Sequence, residues 1–145
     1  MKFLPSTLCL LALLLPSCGD DDDDIRRSCG PAITISDGLI SEESDPFQLV
    51  DAQIDGLCLE VIIAATSCST ANWSMDLFTF GQVAGRLPTQ TSARLFFDDG
   101  LDETDFTCQV ILTETYAFDL SPYLTPEVLP TQLTLTGTGT TLLVK

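Results

Sequence analysis

At 145 residues the chain has room for one domain, about 115 residues around one hydrophobic core once a leader and a tether are set aside. Its 21 acidic against 6 basic residues give a formal charge of -15. The basic residues are dispersed, so the clustered cations that displace counterions from nucleic-acid phosphates are missing and nucleic acid is excluded as a partner. There is also no histidine, which removes the side chain most used for proton transfer near neutral pH and for zinc binding.

The chain opens with Lys2 as a small positive region, followed by Leu8, Leu10, Leu11, Ala12, Leu13, Leu14 and Leu15. This apolar stretch has the length of a signal-peptide core and falls short of the roughly 20 apolar residues that span a bilayer. It ends in Leu15-Pro16-Ser17-Cys18, which resembles the bacterial lipobox: an aliphatic residue at minus three, a small one at minus one, then cysteine. Pro16 stands at minus two, where the pattern has a small or β-branched residue. The resemblance implies diacylglyceryl transfer to the Cys18 sulfur, cleavage after Ser17 and acylation of the new amino group. Cys9 is a poor substitute, because Leu8 before it is too large. Residues 1–17 are therefore expected to be a lipoprotein signal peptide, with Cys18 as the point of lipid attachment.

Gly19 and Asp20 through Asp24 follow, a block of like charge that repels itself, stays hydrated and cannot pack. Residues 18–28 thus form a lipidated cysteine and an acidic tether. An acidic run directly after a lipidated cysteine is similar to the surface-export signal of Bacteroidetes-type lipoproteins, which implies an outer-membrane location with exposure at the cell surface.

From residue 29 to 145 the apolar residues alternate with period two, and no window holds a helical 3.6 repeat over helix length. Leu57, Leu59, Val61 and Ile63 share one strand face; Trp73, Met75 and Leu77 another; then Ala93, Leu95 and Phe97; Cys108, Val110 and Leu112; and Leu133 with Leu135. Turn signals separate these runs, among them Asp55-Gly56, read as the centre of a type I′ hairpin turn, and Asp99-Gly100. The spacing predicts strands near 32–36, 47–54, 57–65, 73–80, 91–97, 107–118, 131–136 and 140–144. The expected fold is all-β: an antiparallel immunoglobulin-like β-sandwich or small barrel of about eight strands with two disulfides.

Cys29, Cys58, Cys68 and Cys108 are an even set in an exported domain, where disulfides persist. Three pairings are open on arithmetic alone. If consecutive strands run antiparallel, Cys68 and Cys108 fall at one end of the sheets and Cys29 and Cys58 at the other, which favours Cys68 with Cys108 and Cys29 with Cys58. Four cysteines with no C-x-x-C pair and no histidine make a poor zinc pattern.

From about Asp55 onward the chain resembles a group of short, uncharacterised Bacteroidetes lipoproteins. The matching pieces are Leu57-Cys58-Leu59-Glu60-Val61 leading to Cys68, then Leu87-Pro88-Thr89-Gln90, an acidic loop ending at Cys108, and Phe118-Asp119-Leu120-Ser121-Pro122. Members of that group carry histidines after the first of these cysteines and before the acidic loop. Here those neighbourhoods hold Asn72-Trp73 and Phe96-Phe97, so no metal role carries over.

The strongest candidate for a ligand site is the loop with Asp98, Asp99, Asp102, Glu103 and Asp105, whose oxygens suit a hard cation, with calcium the cofactor to test. Its order of residues is not that of an EF-hand, and a solvated hairpin loop is the plainer reading. A catalytic nucleophile has no base to activate it, because histidine is absent and the sole lysine after the leader is the terminal Lys145. Phe80 and Phe96 lie out of phase with their inward-facing neighbours and are the first aromatics to test as exposed contacts. Asp119 and Ser121 are expected to fix a turn before Pro122. The chain is therefore expected to be a lipid-anchored, non-enzymatic envelope protein whose partners are the membrane and an unidentified glycan or protein ligand. A calcium-dependent carbohydrate-binding module and an inhibitor of secreted hydrolases are the alternatives.

Overall fold

The computed structural model describes residues 29–38, 43–102 and 108–145. Eight strands follow in chain order: β1 (Thr34–Ile35), β2 (Gln48–Asp55), β3 (Cys58–Thr66), β4 (Ser74–Thr79), β5 (Thr89–Asp98), β6 (Ile111–Asp119), β7 (Thr131–Thr136) and β8 (Thr140–Val144). A single 3-10 turn, Pro126–Val128, precedes β7. The strands form two sheets, one ordered β1-β4-β5-β7-β8 and the other β2-β3-β6, and they do not close into a barrel.

Alternation explains why these segments pair as they do. Along β4 and β5 every second residue is buried, so Met75, Leu77, Ala93, Leu95 and Phe97 point inward while Ser74, Asp76, Gln90, Ser92 and Arg94 face solvent. Leu59, Val61 and Ile63 of β3 meet them from the opposite sheet with no exposed surface, and Leu133, Leu135 and Val144 complete the same core. Phe97 sits at its aromatic centre, edge-on to Trp73 with ring centroids 5.1 Å apart and to Phe47 at 5.8 Å. Two buried threonine hydroxyls are satisfied by backbone: Thr79 donates to the Ser92 carbonyl at 2.8 Å and Thr91 to that of Gln82 at 2.8 Å.

Three features depart from the sequence reading. The sheets are mixed rather than wholly antiparallel, because β1 pairs with β4 and β5 with β7 in parallel. The second follows from strand parity: β6 joins the other sheet, so β5 and β7 become neighbours although two steps apart in the chain. Next, the β2–β3 hairpin turns at Gly56 and Leu57, with Asp55 opposite Cys58. Gly56 has φ +59° and among the described residues only glycines have positive φ, so Leu57 does not, which excludes type I′ and fits type II′, whose first central residue is glycine. Finally, β6 starts at Ile111, so Cys108 and Val110 precede the strand and Val110 is exposed rather than sharing an inward face with Leu112.

Disulfides join Cys29 to Cys58 and Cys68 to Cys108, the pairing favoured by the strand count. The second closes the end where Thr66 faces Ile111, beside a hydrogen bond from Ser67 N to Val110 O at 3.0 Å. The first closes the other end, where Cys58 faces Asp119. Ala32 bridges Asp119 in parallel before the chain crosses to β4, so the first segment ties the two sheets together at this end.

Candidate functional site

The acidic loop begins where β5 ends. Asp98 and Asp99 cluster with Asp45, which the segment leading into β2 brings across, and one carboxylate oxygen of each lies within 4.8 Å of the others. Asp45 arrives there because Ser44 and Asp45 continue the pairing along β5: Phe97 N donates to Ser44 Oγ at 2.9 Å and Asp45 N to Phe97 O at 2.8 Å. The carboxylates already have work as backbone acceptors. Asp45 Oδ2 receives Asp99 N at 2.9 Å, Asp98 Oδ1 receives Gly100 N at 2.8 Å, and Asp99 Oδ1 receives Leu101 N at 2.9 Å. These bonds shape the loop whether or not an ion is bound. Three carboxylates supply only part of the six to eight oxygens that calcium takes.

Of the five residues assigned to this site from sequence, Asp98 and Asp99 come together, Asp102 is exposed on the same loop, and Glu103 and Asp105 lie outside the described residues. Asp45 was missed. It lies 53 residues before Asp98, and no local pattern announces that its segment pairs along β5. Cys18 also lies outside the described residues. Cys29, Cys58, Cys68 and Cys108 are all oxidised, so none is a thiolate nucleophile. The Cys29 sulfur sits 3.0 Å from the Phe118 carbonyl oxygen, a packing contact, since a bridged sulfur has no proton to donate.

The Phe118-Asp119-Leu120-Ser121-Pro122 stretch is structural. Phe118 and Leu120 are buried in the core, and Asp119 turns the chain by accepting Ser121 N and Ser121 Oγ, both at 2.9 Å. Leu120 N then donates to Leu57 O at 2.9 Å, fastening the turn to the β2–β3 hairpin.

Most aromatics fill the core, but Phe80 is 54% exposed just past β4 and Phe96 is half-buried on the outer face of β5, edge-on to Phe78 at 6.3 Å. Two surface cavities adjoin this face. One, of about 470 Å³, is a notch formed because β5 runs beyond the six residues that β7 pairs with; Phe47, Gln48, Arg94 and the Thr136–Thr138 turn line it. The other, of about 280 Å³, lies among Phe78, Phe80, Ser92, Arg94 and Thr136. Among the described residues no helix is long and apolar enough to cross a membrane.

Burial pushes the Tyr123 phenol up to about 12, with the Thr91 hydroxyl drawing it slightly back although no well-formed hydrogen bond joins them. Burial, then the Glu114 carboxylate, raises Tyr116.

No known protein family and no curated protein matches the chain. Among solved structures it is similar to a protein of unknown function, DUF1344, from Bacteroides vulgatus ATCC 8482, with a TM-score of 0.52 at 13% identity. The match covers 80% of this chain and 56% of that one, so this chain spans little more than half of its neighbour and the likeness is one of fold.

Proposed function

We propose that the chain is a lipid-anchored envelope lipoprotein of the outer membrane, displayed at the cell surface, whose domain acts by binding rather than by catalysis. The observation that carries this reading is the division of labour among cysteines. Four are consumed in two disulfides, as suits a domain that matures outside the cytosol, while Cys18 ends a Leu15-Pro16-Ser17-Cys18 stretch that resembles a lipobox and precedes an acidic run. The tether from Cys18 to Cys29 reaches about 36 to 40 Å when extended. It joins the domain at the Cys29–Cys58 end, opposite the cluster of Asp45, Asp98 and Asp99. No histidine or domain lysine before the C-terminus is available to activate a nucleophile, which supports binding over catalysis. A finer likeness to immunoglobulin-like sandwiches belongs to the same proposal; two facing sheets support it, and the two parallel pairings depart from it.

Metabolic labelling with a clickable palmitate tests the anchor. The wild-type chain is expected to take up label and Cys18→Ala to take up none; equal labelling of both would remove the anchor from the account.

A second reading, calcium held by Asp45, Asp98 and Asp99, is supported by the convergence of three carboxylates within 4.8 Å. Calorimetric titration with calcium decides it: absence of heat at millimolar ion dismisses the site.

A further inference from the structure

On the solvent face of the five-stranded sheet, strand register sets Arg94 directly between Phe78 of β4 and Thr136 of β7, with Ser92 and Phe96 two residues away on β5 itself. β5 is the middle strand, so Arg94 stands at the centre of the face and not at an edge. The chain carries 21 carboxylates against 6 basic residues, yet among the described residues the Arg94 guanidinium has no carboxylate or other hydrogen-bond partner. Its planar fork of donors, matched to a bidentate oxyanion, is left open to solvent. The cavity of about 280 Å³, walled by Phe78, Phe80, Ser92, Arg94 and Thr136 and by no carboxylate, forms a trough on this face; the one of about 470 Å³ shares Arg94 and Thr136 with it but also has Asp45 in its wall.

We propose that this trough binds a glycan at a single uronic-acid residue, with that sugar's carboxylate on Arg94 and the apolar face of its ring against Phe80 and Phe78. This rests on the reading of the domain as a binding module and does not depend on lipid at Cys18. Three features select the ligand class. The unpaired arginine calls for a carboxylate or similar oxyanion. The exposed Phe80 ring and the half-buried Phe78 beside the Ser92 and Thr136 hydroxyls suit a ligand with one apolar face and many hydroxyls, which is the character of a pyranose. A peptide adding as a strand needs a free sheet edge, and Arg94 lies on a strand paired on both sides. Nucleic acid needs several phosphate contacts, and the trough offers one cation.

The test uses the purified full-length protein in detergent, titrated calorimetrically at physiological ionic strength, where repulsion between the acidic domain and an acid oligomer is screened, with oligomers of galacturonate, glucuronate and mannuronate, and with their methyl esters at matched length. At least one acid oligomer is expected to bind and its ester to bind at least ten-fold more weakly. Arg94→Gln should lose ten-fold or more in affinity at unchanged melting temperature, because the side chain is exposed. Phe80→Ala, at another exposed position, should lose several-fold, and Arg86→Gln, outside the trough, should bind as wild type does. The proposal is overturned if no oligomer binds at millimolar concentration, if acid and ester bind equally, or if Arg94→Gln binds as tightly as wild type. Palmitate labelling is read separately. A protein that binds uronate without taking label keeps the trough and loses the anchor, and one that takes label without binding uronate does the reverse.

Discussion

Tyr123 is 8% exposed, and its hydroxyl is buried without a hydrogen-bond partner. Leaving such a group unpaired costs about 1 to 3 kcal/mol, so Tyr123→Phe should unfold at equal or higher denaturant concentration at neutral pH. The pH dependence is sharper. Because the folded phenol is raised from 10.0 to about 12, its contribution is complete below pH 10 and is lost as pH climbs through 12, while the unfolded chain ionises first. Wild type should lose about 1 to 2 kcal/mol more than Tyr123→Phe across that window, after discounting for partial solvent access. Urea melts of both proteins below pH 10 and near pH 12 measure the difference; parallel losses would show that the tyrosine is not responsible. The glycines offer a second contrast. Gly30 has φ +68°, and a Cβ there would collide with the Ala117 carbonyl, whereas Gly56 has φ +59° with open space around it. Gly30→Ala should therefore cost about 2 to 4 kcal/mol, strain plus overlap, and Gly56→Ala about 1 to 2 kcal/mol from strain alone. Thermal melts that rank them the other way would contradict the packing described. Sequence marked Gly56 as a turn but could not mark Gly30, because the carbonyl that crowds it belongs to a strand 87 residues later.

At the scale of elements, strands were legible wherever one face is buried. Leu133 and Leu135 locate β7, and Met75 and Leu77 locate β4, because a slip of one residue would turn each apolar pair to solvent. What alternation does not encode is which sheet a strand joins. Hence the parallel neighbours β5 and β7 were not foreseen, and neither was the direction of the first segment, which runs parallel to β6 at the Ala32–Asp119 bridge and parallel to β4 along β1. The Cys29–Cys58 pairing survived that error because β1 is only two residues long and lies wholly at one end. This also predicts how the two disulfides differ. Their loops of 29 and 40 residues give similar entropic stabilisation, about 3 to 4 kcal/mol each. Their local effects should not be similar. Removing Cys29–Cys58 by a double alanine substitution loosens a segment held otherwise by the buried Ile33 side chain and a few backbone bonds, including Ile33 N to Asp119 O at 2.9 Å and Ser36 N to Thr79 O at 2.8 Å. Hydrogen exchange at Ile33 and Ser36 should accelerate well beyond that at Val61 in the middle of β3. Removing Cys68–Cys108 should instead leave Ile33 and Ser36 no more labile than Val61.

For the whole molecule, charge is the dominant long-range term. The chain's net charge of -15, of which the domain from Cys29 onward carries -13 (16 acidic against 3 basic residues), makes the folded state repel itself, and expansion on unfolding relieves that repulsion. Salt screens it over about 8 Å at physiological ionic strength, so the melting temperature should rise from low salt to a few hundred millimolar sodium chloride. In a domain stabilised mainly by exposed ion pairs, salt would weaken the holding interactions and the melting temperature would fall. The candidate cation cluster adds a discriminating control. Asp45, Asp98 and Asp99 lie together at one end, so a specific ion there would relieve local repulsion beyond screening. At matched ionic strength, equal melting temperatures in sodium, magnesium and calcium chloride mean that the carboxylates serve only as acceptors for Asp99, Gly100 and Leu101. A further rise specific to calcium, abolished by Asp45→Asn, means that the loop closes around an ion. Asn at position 45 keeps an oxygen to receive Asp99 N, so the substitution removes charge while leaving the loop its hydrogen bond, and the comparison separates the ion from the fold.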